Sequence, residues 1–224
     1  MTDAIMTSAG TTSNAESPDQ AQNRATPGDR ALDWWRQLTD RNKGDPGSLA
    51  RLRRCRSSVD ASTVRAAVSL ARRLGATRQT ASDDRRRDVL DLARVLAHVK
   101  EHDSTHPMRA AGWQRFAGDR KESDAGDDRP RLAEARFRRL LQTGLGEEKV
   151  AAFARLVALL GETINVRELA NDFLDWNHPV RGDRVRERWA FIYYHADSAL
   201  PAEPPEDSSA PHADSTATDS EDDA

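Results

Sequence analysis

Arg51, Arg53 and Arg54 stand beside Leu49 and Leu52 within residues 47–54. On a helix, which turns about 100° per residue, the three guanidinium groups are expected to face outward together while the two leucines face in. A second group, Arg131, Arg136, Arg138 and Arg139, surrounds the flanks and back of a helix whose front is Phe137, Leu140 and Leu141. Guanidinium groups bond phosphate oxygens in pairs, and such contacts hold a nucleic-acid backbone without reading its sequence. Two basic faces therefore point to backbone binding, although a solvated amphipathic face produces the same pattern. Arg65, Arg72 and Arg73, and again Arg181, Arg184, Arg186 and Arg188, are interleaved with acids or lie near helix ends. Ion pairs and the helix dipole account for those.

His98, His102 and His106 follow one another at four-residue spacing, with Asp103 adjacent. A helix running through all three would line them up as metal ligands. The helical zinc-protease pattern, however, places Glu directly after the first His, and here Val99 follows His98. Pro107 also sets His106 at a fraying end, so a surface helix end is the expectation, with no metal and no cofactor. The chain contains no Gly-x-Ser-x-Gly elbow, no glycine loop for phosphate and no Cys with a supporting His at a known spacing, and no enzymatic activity is expected. Trp34, Trp35, Trp113, Trp176 and Trp189 have flat faces that suit base stacking, yet they mostly fall in line with leucines and valines, which is the pattern of a core.

The elements that must carry these residues read as helices throughout. Leu32, Trp35 and Leu38 mark the first, which breaks near Gly44, Pro46 and Gly47; Ser48 is the expected N-cap of the second. Val64, Ala67, Val68, Ala71 and Leu74 mark a third, with Asp60 near its start and Gly75 at its end. Val89, Leu92, Leu96 and Val99 mark a fourth that stops before Pro107. Beyond a polar stretch at 117–130, expected to be a mobile loop, Phe137 and Leu140 mark one helix, and Val150, Phe153, Val157 and Leu160 a second that Gly161 closes. Asn165 and Glu168 have capping-box spacing ahead of Val166, Leu169, Phe173 and Trp176, and Val185, Trp189 and Ile192 set the last helix. No segment alternates convincingly at a period of two. The expected fold is all-α: about eight helices in two helical halves, 28–116 and 131–196, flanked by disordered tails at 1–27 and 197–224.

The charge of the chain follows the same division. With −2 on residues 1–27 and −9 on residues 197–224, the −3 of the whole leaves +8 on residues 28–196. A basic body suits a polyanionic partner, because its cations release the counterions condensed on phosphates. The nine acids of 197–224, unrelieved by Lys or Arg, suggest a tail that folds back on that body and competes with nonspecific nucleic acid. A lone cysteine, Cys55, excludes an internal disulfide, and no apolar run reaches the roughly 18 residues of a membrane span or the pattern of a signal peptide, so a cytoplasmic protein is expected.

Six pieces in order carry a further signal: Trp34-Trp35-Arg36-Gln37-Leu38, GSLARLRR at 47–54, LAEARFRRLLQ at 132–142, VAAFARLVALL at 150–160, RELANDFLDWN at 167–177 and VRERWAFIYY at 185–194. In these the chain resembles CasB, the small subunit of the type I-E Cascade complex of CRISPR immunity. The resemblance covers most of residues 30–195 and implies an all-helical, non-catalytic subunit. Such a subunit is present as two copies, touches the backbone and large subunits, and holds crRNA-guided target DNA so as to stabilise the R-loop. By position, Arg51, Arg53 and Arg54 match the family's LRR segment, and Arg138 and Arg139 its RFRRLL segment. The acidic tail and the extended N-terminus are departures that the family does not require. A helical adaptor joining protein subunits, with arginines paired to acidic partners, is the alternative reading.

Overall fold

A computed structural model describes residues 25–113 and 129–195. Nearly all of the expected tails and most of the expected loop at 117–130 lie outside these residues. Ten helices account for the described chain: α1 (Pro27–Thr39), α2 (Pro46–Arg54), α3 (Ser58–Ser62), α4 (Arg65–Arg73), α5 (Asp83–Leu96), α6 (Pro107–Ala111), α7 (Glu134–Leu141), α8 (Glu147–Leu159), α9 (Val166–Asp175) and α10 (Arg181–Tyr193). The all-α reading holds, with one small addition. Strands β1 (Glu101–His102) and β2 (Thr163–Ile164) pair in parallel, Glu101 against Thr163 and His102 against Ile164.

Short polar side chains start five of the helices, α1, α2, α3, α5 and α9, by occupying backbone N–H groups that have no partner inside the helix. Thr26 and Asp29 form a reciprocal box at the head of α1, the Thr26 hydroxyl accepting from the Asp29 N–H at 3.1 Å and the Asp29 carboxylate from the Thr26 N–H at 3.0 Å. Asn165 caps α9 by accepting from the Glu168 N–H at 3.1 Å. At the far ends of α4 and α8 the chain turns out through Gly75 at φ +64° and Gly161 at φ +74°, conformations that a Cβ would strain.

α1 lies along α9, and α5 packs against α3, α4, α8 and α9, so the two stretches either side of residues 114–128 share one apolar core. Gly28 sets the closest approach: its N–H donates to Asn171 Oδ1 at 2.7 Å, and a Cβ there would lie 2.4 Å from the Arg167 carbonyl oxygen. The centre holds Phe153, Phe173, Trp176 and Trp189, with ring centroids 5.0–5.5 Å apart in the edge-on and tilted packings that aromatic quadrupoles favour. Four tryptophans are buried and none of their N–H groups is wasted: Trp34 donates to the Ala66 carbonyl, Trp35 to Val99, Trp176 to Thr143 and Trp189 to the Asp172 carboxylate. Their place in line with leucines and valines meant core.

The charged groups of the interior are paired, while one buried side-chain atom among the described residues, His106 Nε2, has no hydrogen-bond partner. Lys149 is fully buried, its ammonium 2.6 Å from Asp88 Oδ1 and 4.2 Å over the Phe173 ring. Burial pushes that amine below its ordinary value, opposed by Asp88.

Local boundaries differ from the sequence expectation in four places. The cap of α2 is Asp45, which accepts from the Ser48 N–H at 2.8 Å, so Ser48 lies within the first turn. The expected third helix is two, α3 and α4, with Val64 in extended backbone between them and Val68 turned outward. The fourth stops at Leu96, well short of Pro107, because Lys100 and Glu101 give their N–H groups to the Glu162 carbonyl and the chain continues as β1. α1 begins at Pro27, a residue assigned to the tail.

Candidate nucleic-acid interface

The two arginine groups are exposed as expected, but they are built differently. On α2, Leu49 and Leu52 are buried while Arg51, Arg53 and Arg54 face solvent. Arg53 is partly committed, its Nε donating to the Ala97 carbonyl at 2.6 Å, which ties α2 to the end of α5. The side chains of Arg51 and Arg54 bond no described residue.

α7 is pinned by its apolar face. Phe137 stacks on Tyr193 with ring centroids 3.9 Å apart, the Tyr193 hydroxyl donates to the Leu132 carbonyl at 2.6 Å, and the Leu132 N–H reaches Ala111 at 3.0 Å. This fixes which way each arginine points. Arg138 turns toward the end of α10, pairing with Glu134 of its own helix at 2.5 Å beside the Tyr194 hydroxyl, itself 2.9 Å from the same carboxylate. The Tyr194 and Arg138 bonds together hold the Glu134 carboxyl below the usual carboxylate range. Arg136 and Arg139 turn the other way. With Arg155 of α8 they rim a groove of about 480 Å³ whose floor is Leu132, Leu140, Leu156 and Leu159 and whose one acid is Glu148. Arg131 precedes α7 rather than lying on it, and is exposed.

Sequence reading therefore found two of the groove's three arginines and missed Arg155, hidden as a single charge in an apolar run. The spacing Glu148, Ala152, Arg155, Leu159 is a helical stripe of its own, and would have marked the face. The groove also divides Arg138 from Arg139, which the sequence grouped together.

A second cleft, of about 520 Å³, gathers Arg85, Arg181, Arg184 and Arg188 with Glu168, Asp172 and Asp175. Most of its charge is spent internally. Arg186, outside the cleft, pairs with the interleaved Asp183 at 3.3 Å, as the sequence suggested, whereas Arg181 pairs at 2.8 Å with Asp175 and Arg188 pairs with Asp172, both acids of α9.

The three spaced histidines do not meet, and the expected surface helix end is not their setting. His98 follows α5, His102 sits in β1 with its Nδ1 accepting from the Val166 N–H at 3.2 Å, and His106 caps α6, its Nδ1 accepting from Met108 at 3.1 Å. Burial, then neighbouring arginines, pushes His98 and His102 below the ordinary imidazole value. His106 instead approaches Glu168 and Asp172 closely enough for three ligand atoms to share an ion. The donor set does not fit one: with Nδ1 accepting, the neutral ring carries its proton on Nε2, the atom facing Asp172 at 3.6 Å, while Asp172 already accepts from Arg188 and Trp189. Burial and Asp60 raise the Cys55 thiol, which leaves it protonated near neutrality.

No helix among the described residues is long and apolar enough to cross a membrane. The family model for the CRISPR-associated protein Cse2 matches residues 48–194, a span that contains the seven arginines of the two basic groups. No curated protein matches the chain. Among solved structures it is similar to TTHB189, a CRISPR-associated protein of the Cse2 family from Thermus thermophilus, at 24% identity and a TM-score of 0.53, over 76% of this chain and 99% of that one. CasB, the family whose motifs the sequence resembles, is Cse2 under another name. The chain belongs to the Cse2 family of CRISPR-associated proteins.

Proposed function

We propose that this chain is the non-catalytic small subunit of a type I-E Cascade complex, working in the cytoplasm. There it holds the nucleic-acid backbone of guide-paired target DNA and so stabilises the R-loop. The observation that carries this reading is the α7–α8 groove. Arg136, Arg139 and Arg155 rim it, and none of them forms an ion pair with a described residue, unlike Arg181, Arg186 and Arg188. Guanidinium groups left without carboxylate partners are available to phosphate. Arg51 and Arg54 offer a second such point on α2. Exchange of a DNA duplex for a guide–target duplex is nearly balanced, so a few backbone contacts tip it. Partners on this reading are the backbone and large subunits and a second copy of the chain.

The adaptor reading has its own support in two exposed apolar side chains, Leu145 at 71% and Val180 at 57%, either of which suits a protein contact. Co-purification with the neighbouring subunits and guide RNA, followed by target-DNA retention with and without this chain over a salt series, separates the two. Weaker retention with a shallower salt dependence on its removal supports backbone binding. Assembly with unchanged retention and slope supports the adaptor, and failure to assemble rejects both.

A further inference from the structure

We propose that the acidic segment 197–224 of the same chain docks in the α7–α8 groove and competes there with nucleic acid. The regulatory half of this inference rests on the backbone-binding reading; the docking itself does not. Three features of the fold converge on it. The described chain ends at α7, since Tyr194 bonds Glu134 at 2.9 Å and Tyr193 bonds the carbonyl of Leu132, a residue of the groove floor. Eight residues of extended chain span up to about 26 Å, against a helix diameter of about 10–12 Å, which is length enough for the segment to reach round α7.

Charge and polarity match as well. The groove presents Arg136, Arg139 and Arg155 against the single carboxylate of Glu148, over a floor of leucines. The segment brings nine acids and no Lys or Arg, and its first stretch sets Leu200 and Pro201 between Asp197 and Glu203. An apolar pair flanked by carboxylates is complementary to an apolar floor flanked by guanidinium groups. Covalent connection also makes the encounter intramolecular, at a high effective concentration that a free acidic peptide lacks.

Two measurements on the full-length chain test this. In the first, R139K is treated with a carbodiimide at high dilution, and linkages from position 139 to carboxylates of 197–224 are read by mass spectrometry beside the same treatment of R72K. Linkage strong at 139, weak at 72 and suppressed by salt is expected. No linkage at 139, or equal linkage at both, overturns the docking. In the second, the nine acids are replaced by Asn or Gln and the affinity for random-sequence single-stranded DNA is measured. A gain on the order of tenfold at low salt is expected, vanishing when R136A, R139A and R155A are also present. An equal gain in that background overturns the groove as the seat. Linkage at 139 with no DNA binding by either chain supports the docking and rejects the backbone-binding reading instead.

Discussion

Arg94 of α5 and Glu147 of α8 form a two-pronged ion pair, each guanidinium nitrogen 2.7 Å from its own carboxylate oxygen. The same guanidinium bonds Asp91 at 2.9 Å and, through Nε, the Cys55 carbonyl at 3.2 Å, just past the end of α2. One buried side chain thus anchors both helices that carry arginine faces, or their immediate neighbours, to the central helix. Burial pushes the Asp91 carboxyl up, and Arg94 is the main influence against it.

R94M would leave Asp91 buried without its partner, a change that costs about 3–5 kcal/mol in comparable sites. Removing Arg94 raises the folded-state value of Asp91 further. An acid whose folded value is raised contributes its stability below the unfolded value and loses it as pH rises through the folded one. The deficit of R94M is therefore smallest in acid and grows toward neutrality, and D91L/R94M recovers most of it. Urea unfolding at several pH values checks this; a loss under about 1 kcal/mol that ignores pH would show that the network carries no load.

Tyr193 is buried, bonded to Leu132 and stacked on Phe137, and burial pushes its phenol up to about 12. Its stabilising share is present below the ordinary value of about 10 and is lost as pH rises toward 12. Y193F should flatten that alkaline limb of the stability curve. At neutral pH it costs about 1–2 kcal/mol, for a carbonyl left unpaired in the interior. Equal alkaline slopes in the two proteins would count against a buried phenol here.

The helical faces were legible because they obey a local rule. The glycines at 75 and 161, the Asn165 cap and the buried tryptophans all sit where spacing put them. What spacing hid was decided by distant chain. Ala97 and Val99 continue the apolar period of α5 and are buried, yet the helix ends at Leu96 because Glu162, some sixty residues on, takes the N–H groups of Lys100 and Glu101. The arginine groups were read correctly as outward-facing. Their division into a groove side and an α10 side depends on the Phe137–Tyr193 stack, which no local pattern announces.

That division gives the sharpest functional test, because neighbouring residues are expected to behave differently. Arg136 and Arg139 rim the groove without bonding a described acid, whereas Arg138 is held by Glu134. R136A/R139A should change stability by no more than about 0.5 kcal/mol, as for other exposed substitutions. In the assembled complex the same pair should weaken retention of every target sequence alike. If each arginine neutralises one phosphate, the slope of log affinity against log salt becomes shallower by about 1.4 to 1.8, depending on whether single- or double-stranded backbone is held. R138A should do less than R139A, since its guanidinium leaves Glu134 only at the loss of an existing pair. Equal effects of R138A and R139A would mean that the whole of α7, and not its groove face, meets the nucleic acid. A loss that varied with target sequence would mean that bases, and not phosphates, are being touched.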